Sequence, residues 1–452
     1  MNQDRQGSRR WQDRARTAVH RSSTGRETGV GSLSGTSRLP DLPAEAERVY
    51  FLKRYLSEQS AAGFRFGRSG SVAECWKERL RHVLGVRFEP GHSIGILRNG
   101  DEIFPGMLDA IECAEHSIEC QSFIFWKGEI AERFCRALVE RAAAGVRVRI
   151  VLDGVGSAPM PSRLRKQFER SAVDVRTFHP VPHWKFWGLD TRTHRRILAI
   201  DGKRAFTGGV GIAEAWTGDA DDADHFRETQ FEITGPAVGA LRAAFFASWA
   251  AAGGAFPADI HIPGPTRSTG VGAAVVASQG AEEWSKAALM FQGLVRLADE
   301  RLEIVTPYFV PGSALAEALV SAARRGVQIR IMVSGRNTDH RLSRWAAQRT
   351  YRELIDAGIE IHEYDRTLLH TKAVIVDRRL CCIGSPNMNQ RSQRLDDEIA
   401  VLVDDPKLAD ELLGDFDADR AACRIIDRET WSRRGVVQRL REWWAGRLEA
   451  QL

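Results

Sequence analysis

Apolar and polar positions follow the same order twice along this chain. In residues 137–154, ALVERAAAGVRVRIVLDG, an amphipathic run with helical spacing meets Gly145 and gives way to a short apolar run closed by Gly154. Residues 318–335, ALVSAARRGVQIRIMVSG, repeat the pattern with Gly326 and Gly335. Each unit predicts a helix, a glycine stop and a buried strand. Upstream, AEHSIECQSFIFW and ADERLEIVTPYFV match as a helix end followed by a strand. Helices alternating with short apolar strands predict an α/β fold, a mixed, mainly parallel sheet flanked by helices, in two consecutive domains.

The next strand in each copy carries chemistry. In LLHTKAVIVD, residues 368–377, alternation puts His370, Lys372, Val374 and Val376 on one face and Thr371, Ala373 and Ile375 on the other. Asp377 ends the run, before a turn and a second apolar strand, CCIGS. The first copy, THRRILAIDGKRAFTGGVGIAEAW, holds His194, Arg196 and Asp201, with the same His-to-Asp separation of seven. Gly208-Gly209 and Gly384-Ser385 follow. One His and one Lys at a strand entrance ordinarily face solvent; their recurrence at the same place in two repeats points to function.

Composition sets the class. With 452 residues, 43% hydrophobic and 27% charged, the chain has the make-up of a soluble globular protein with a sizeable core. It has no run of about 18 apolar residues, which argues against a transmembrane helix. Residues 1–40 carry eight Arg and three acids, which accounts for the whole net charge of +5 and leaves residues 41–452 neutral. A neutral body weakens a nucleic-acid reading. The first 40 residues read as a disordered basic tail without a secretory apolar core, and residues 41–91, with ERVYFLKRYLSEQ and AECWKERLRHVL, read as helical. The seven cysteines show no metal-ligand spacing, and Cys113, Cys120, Cys135, Cys381 and Cys382 fall in apolar patterns, as reduced core residues of a cytosolic protein.

The paired motifs, His-x-Lys-x-x-x-x-Asp followed by Gly-Gly or Gly-Ser, resemble the phospholipase D superfamily over roughly residues 92–452. LRNGDEIFPGMLDAIECAEHSI, TPYFVPG, RTHRRILAIDGKRAFTGG and GSPNMNQRSQRLDDE together resemble its bacterial cardiolipin synthase branch. The resemblance implies two tandem domains, 92–260 and 261–423, related by pseudo-two-fold symmetry, with the active site at their interface. It also implies that His194 is the nucleophile that becomes phosphorylated and His370 the general acid. By the family's pattern Glu228 in HFRETQ and Glu398 in RLDDEIA fix the imidazole tautomers. Arg196 and Lys372, helped by Ser385 and Asn387, are expected to hold the phosphoryl oxygens. Asp201 and Asp377 complete the catalytic set, although at strand ends they are expected to stabilise the hairpins rather than touch substrate. Two departures stand out: Arg196 replaces the family's first-copy Lys, and Gly211 replaces an Asn often found there. Arg keeps the charge but is a different phosphate ligand.

These residue types suit phosphodiester exchange. One neutral imidazole attacks phosphorus, a protonated one releases its proton to the leaving alkoxide, and cations hold the non-bridging oxygens. No cofactor and no metal are expected, since the cations are side chains and no carboxylate cluster suits magnesium or calcium.

Two segments point to lipid. Trp184, Phe186 and Trp187 beside Lys185 form an amphipathic loop. In residues 424–452, Val437, Leu440, Trp444 and Leu448 recur at helical spacing with Trp443 alongside, and Arg433, Arg434, Arg439, Arg441 and Arg447 add charge. A basic amphipathic helix of this kind can lie on anionic lipid, as readily as it can pack on its own domain. The expectation is a peripheral enzyme on the inner face of the cell membrane that makes cardiolipin and glycerol from two phosphatidylglycerol molecules. The rivals are phospholipid hydrolysis to phosphatidic acid, a phosphodiesterase acting on nucleic acid, and a catalytically silent lipid-binding protein.

Overall fold

The computed structural model describes residues 72–180, 191–258, 260–262, 269–280, 285–435 and 445. The loop containing Trp184 to Trp187 and the C-terminal positions Val437, Arg439, Leu440, Arg441, Trp443, Trp444, Arg447 and Leu448 lie outside the described residues, as do residues 1–71.

Each repeat builds seven strands. The first contributes β1 (Glu89–Arg98), β2 (Ser117–Ser122), β3 (Arg147–Asp153), β4 (Asp174–Phe178), β5 (Ile197–Ile200), β6 (Arg204–Gly208) and β7 (Thr229–Thr234). The second contributes β8 (Val271–Ser278), β9 (Arg301–Thr306), β10 (Gln328–Ser334), β11 (Glu360–Tyr364), β12 (Ala373–Val376), β13 (Leu380–Gly384) and β14 (Glu398–Asp404), and a last strand, β15 (Cys423–Ile426), adds to the edge. They form one sheet in the order β15-β11-β10-β9-β12-β13-β14-β8-β1-β7-β6-β5-β2-β3-β4. The order runs outward identically from a central seam where β1 and β8 pair antiparallel, with Glu89 opposite Ala273 and His92 opposite Val271. That seam is the pseudo-two-fold.

Parallel pairing is confined to β2-β3-β4 and β9-β10-β11. Every other neighbouring pair in the sheet is antiparallel. The sheet is therefore mixed rather than mainly parallel: helical crossovers return the chain parallel, whereas the tight turns at Asp201 and Asp377 force antiparallel hairpins.

Helices cover both faces, which is why β5 (ILAI) and β12 (AVIV) are apolar at every position and fully buried. The helices are α1 (Val72–Leu84), α2 (Asn99–Glu112), α3 (Glu129–Ala143), α4 (Ser162–Glu169), α5 (Ala237–Ala251), α6 (Lys286–Leu297), α7 (Gly312–Arg324), α8 (Arg341–Asp356), α9 (Gln390–Arg394), α10 (Pro406–Arg420) and α11 (Arg428–Ser432), with a 3-10 turn at Glu214–Trp216. One core lies under α2 and α3 in the first repeat, and another under α6 and α7 in the second. A third joins the repeats: Phe231, Ile233 and Phe245 pack with Ile375, Ile383, Val401 and Leu408. Each such side chain contributes about 1.5–3 kcal/mol on burial, so the two halves share a hydrophobic core.

Three local expectations change. Residues 89–91, within the segment expected to be helical, already belong to β1. Residues 424–426, at the start of the expected C-terminal helix, instead belong to edge strand β15 against β11. Cys113 is exposed just after α2, whereas Cys120, Cys135, Cys381 and Cys382 are buried thiols.

Candidate active site

The hairpins β5-β6 and β12-β13 sit symmetrically in the sheet, and the segment entering each carries the histidine. Each entry segment pairs with the other repeat. Thr193 bridges Asp397 in parallel, with His194 N–H donating to Asp397 O (2.9 Å) and Asp397 N–H to Arg192 O (2.8 Å). Arg227 bridges Leu369 likewise, with His370 N–H donating to Arg227 O (2.7 Å) and Arg227 N–H to Leu368 O (2.9 Å). Each histidine backbone is thus laid beside the residue that precedes the other repeat's glutamate.

The side chains follow the backbone. His194 Nδ1 lies 2.8 Å from Glu398 Oε1, and His370 Nδ1 lies 2.5 Å from Glu228 Oε2. Both dyads cross between repeats. Both glutamates are 0% exposed and the imidazoles 7% and 5%. With Nδ1–H committed to carboxylate, each Nε2 carries the reactive lone pair.

A cation accompanies each ring. Arg196 Nη1 is 2.9 Å from His194 Nε2 and donates to His194 O (3.0 Å). Lys372 Nζ donates to His370 O (2.5 Å) and lies 3.1 and 3.4 Å from the two ring nitrogens. Burial, with Arg196 beside it and against the pull of Glu398, lowers His194 to about 4. Burial and the neighbouring cations Lys372 and Arg196 take His370 well below its ordinary value. Both rings are therefore neutral at pH 7 before substrate arrives. Burial also lowers Lys372 to about 7, against the attraction of Glu228, and raises Glu228. For Glu398, burial is outweighed by His194 and by hydroxyl hydrogen bonds, and its carboxyl is held below the usual range.

The two glutamates are held by different neighbours. Ser385 Oγ–H donates to Glu398 Oε2, Ser385 Oγ accepts from Ile399 N–H (3.0 Å), and Ser385 N–H donates to Ile399 O (2.9 Å). Ser385 was expected to hold phosphate oxygens; its hydroxyl is spent on positioning the carboxylate. In the first repeat the matching residue is Gly209, where a Cβ would stand 2.5 Å from Glu228 Oε2 and 2.7 Å from Lys372 Nζ. Glu228 is held instead by Thr229 N–H (3.0 Å) and the Trp216 indole N–H (3.2 Å). Trp216 also explains Gly211: a Cβ there would meet its ring at 2.9 Å. Where the second repeat has Asn387, buried with Oδ1 lacking a hydrogen-bond partner, the first has an indole pressed against a glycine.

Asp201 and Asp377 lie at the far ends of β5 and β12 from the histidines. Asp201 accepts from the backbone N–H of Glu115, His116 and Ser117 (2.7–2.9 Å), and Asp377 from those of Asp299, Glu300 and Arg301 (2.8–3.0 Å). Both adopt left-handed backbone, φ 52° and 49°. They tie the hairpin turn to the neighbouring strand and are removed from the reacting groups.

Several neighbours carried no sequence signal. Arg195, 1% exposed, points to the opposite face of the strand from the site and reaches Ala244 O, Ser248 Oγ and Ser278 O (2.7–3.0 Å). Arg227 donates to Asp419 (3.0 Å) and to Glu228 O (2.8 Å), fixing the glutamate's backbone. The His370 side is aromatic: Trp216, Phe226 and Tyr308 lie 5.2, 6.1 and 6.4 Å from its ring. At the place corresponding to Phe226, the His194 side has Asp396, buried, raised to about 7 chiefly by burial, and bridged to Arg391 at 3.0 Å. Among the described residues no group of three or more His, Cys, Asp or Glu is placed to hold a metal ion.

The model of the family described as "Cardiolipin synthase, PLD-like domain" matches residues 107–241 and 293–420. Cardiolipin synthase A of Pseudomonas aeruginosa is 33% identical over 73% of this chain and 67% of its own length. Cardiolipin synthase A of Pseudomonas fluorescens is 31% identical over 75% and 70%. Among solved structures, phosphatidylserine synthase of Haemophilus influenzae shares the fold with a TM-score of 0.63, at 15% identity, covering 83% of this chain and 99% of that one. Duplicated motif, shared sheet and these matches agree: the chain belongs to the cardiolipin synthase family with phospholipase D-like domains.

Proposed function

We propose that this chain is a phosphatidyltransferase that forms cardiolipin and glycerol from two phosphatidylglycerol molecules through a phosphohistidine. The observation that carries the reading is the pair of crossed dyads, His194–Glu398 and His370–Glu228, each with a cation on its ring. In this reading residues 92–260 and 261–423 are the two halves of one catalytic unit. The lipid phosphate enters between Arg196 and Lys372 and draws their charge from the rings to its non-bridging oxygens. Its negative charge also raises the histidines' proton affinity, so that His370 takes up the proton it must give.

His194 Nε2 then forms a bond to phosphorus as the bond to the glycerol oxygen breaks, and His370 protonates that oxygen. Glu398 stabilises the positive charge left on the phosphorylated ring. A hydroxyl of the second phosphatidylglycerol loses its proton to His370 and attacks phosphorus, and the P–N bond breaks. When water takes the hydroxyl's place the product is phosphatidic acid. The aromatic wall of Trp216, Phe226 and Tyr308 favours transfer by restricting water. Among the described residues no helix is long and apolar enough to cross a membrane, and we place the enzyme on the inner membrane face as a peripheral protein.

The test is purified protein with phosphatidylglycerol vesicles and mass analysis of products, with His194→Ala and His370→Ala as controls. Cardiolipin and glycerol, absent in both variants, is the expected result. Phosphatidic acid alone would replace transfer by hydrolysis, and no lipid turnover would overturn the reading.

A further inference from the structure

Beyond the catalytic cleft, a cavity of about 310 Å³ opens on the flank of the second repeat, between α8, β15, α11 and the loop after β10. Five guanidiniums line it: Arg336, Arg344, Arg424, Arg433 and Arg434. Behind this lining the wholly buried carboxylate of Glu363 takes hydrogen bonds from Arg344 (2.8 Å), Gln348 (3.0 Å) and Arg424 and so fixes two of the arginines in place. The other carboxylates facing these arginines among the described residues are Asp365, 3.9 Å from Arg336 and 3.7 Å from Arg424, and Glu429, paired with Arg433.

The hydrogen-bond inventory of the lining is one-sided. Arg344 Nε, Arg424 Nε and Trp431 Nε1 are buried with no hydrogen-bond partner, Arg424 Nε having only Asp365 at 3.7 Å, and Trp431 is only 6% exposed. All three are donors. A buried donor without an acceptor costs about 1–3 kcal/mol, so a lining with surplus donors favours an anion over a cation. Guanidiniums held in a fixed fork by a buried carboxylate suit the tetrahedral oxygens of phosphate. A space of about 310 Å³ takes a phosphate with a small polar headgroup.

Location argues for a role. Arg336 stands at the start of the loop after β10, at the same end of the sheet as the catalytic histidines. Three residues on, Asp339 accepts from the Tyr308 hydroxyl (2.7 Å), whose ring faces His370.

We propose that this cavity is a second phosphate-binding site, separate from the catalytic one, that takes the phosphate of an anionic headgroup. Full-length protein is titrated calorimetrically with inorganic phosphate and, separately, with a short-chain soluble phosphatidylglycerol. The His194→Ala background is used so that the lipid is not consumed. Two sites per chain are expected for both probes. Trp431→Phe removes the indole N–H and keeps a smaller aromatic ring in the core, and should weaken one site about tenfold while leaving the other unchanged. Arg433→Gln, at an exposed side chain that leaves the Glu363 network intact, guards against a folding defect in the first variant and should weaken the same site. Phosphate binding at both sites with lipid at only one would assign the cavity to free phosphate. Absence of any site that both variants weaken, whatever the number of sites, would overturn the proposal. Binding is read without turnover, so the result does not depend on the catalytic reading.

Discussion

Replacing Glu398 by Gln tests whether the crossed dyads divide the chemistry as proposed. The carboxylate is fully buried and 2.8 Å from His194 Nδ1. Gln keeps an acceptor for that N–H and loses the charge, its amide NH2 taking the place of the oxygen that accepts from Ser385, whose hydroxyl can turn to accept. A positive ring and a carboxylate whose charge centres lie about 4 Å apart are worth about 4 kcal/mol at an effective dielectric of 20. At 1.36 kcal/mol per decade, kcat should fall by about 10²–10³, the upper figure applying if all of that attraction develops in the transition state. Glu228→Gln should fall by a similar factor on phosphatidylglycerol, through His370.

A substrate with p-nitrophenol in place of glycerol separates the two. Its leaving phenolate needs no proton, so the Glu228→Gln defect in release of the phenol should largely disappear, while the Glu398→Gln defect should persist. The assay is the rate of p-nitrophenolate release in single turnover. Recovery of Glu398→Gln rather than Glu228→Gln would exchange the roles of the two histidines. Recovery of neither would show that the glutamates hold structure rather than charge.

Other outcomes follow from the same geometry. Arg196→Lys, which restores the motif's usual residue, should steepen the alkaline limb of kcat/KM by adding a second titrating ammonium to Lys372. A buried Lys at the corresponding place, Lys372, is lowered to about 7 by burial, whereas Arg keeps its charge; an unchanged pH profile would refute this. Because Lys372 binds its proton more weakly folded than unfolded, its burial penalty is full below pH 7. Its contribution to stability should rise between pH 7 and its ordinary 10.5, a slope that Lys372→Met should remove from denaturant titrations. Gly211→Ala should cost about 1–3 kcal/mol by driving a methyl into Trp216, seen as a lowered melting temperature. Asp201→Ala and Asp377→Ala should each lower stability by about 2–3 kcal/mol through lost amide hydrogen bonds, with kcat changed less than threefold; a loss of kcat comparable with His194→Ala would return them to the catalytic set.

The reacting groups were legible because their signal is local: His194, Arg196 and Asp201 repeat as His370, Lys372 and Asp377 at matched spacing on predicted strands. Glu228 and Glu398 could be named from the family's pattern, but not paired. Which glutamate serves which histidine depends on Thr193 meeting Asp397 and Arg227 meeting Leu369, contacts between residues more than 140 positions apart. Ser385 looked like a phosphate ligand because a hydroxyl near a His–Lys motif has that chemistry; only the fold shows its proton directed to Glu398. Gly211 read as a loss because nothing in GGVG foretells an indole five residues later filling the space. Parallel pairing was overestimated because the helix–strand repeats are easy to see, while the hairpins that dominate the sheet's middle are only four or five residues long.

The crossed dyads bear on how such a chain could have arisen. A single repeat holds a histidine and a glutamate that do not meet, so one copy alone would be inert, yet two identical copies across a two-fold axis would complete both dyads. A homodimer would have to keep both dyads alike, since every substitution appears twice. Once the copies are joined in one chain, that restriction lifts and each half can drift to a different task. Trp216 against Gly211 in one half, with Ser385 and Asn387 in the other, is what such divergence looks like. On this view Arg196 opposite Lys372 is a further division of labour, open only to a protein whose two halves no longer share a gene segment.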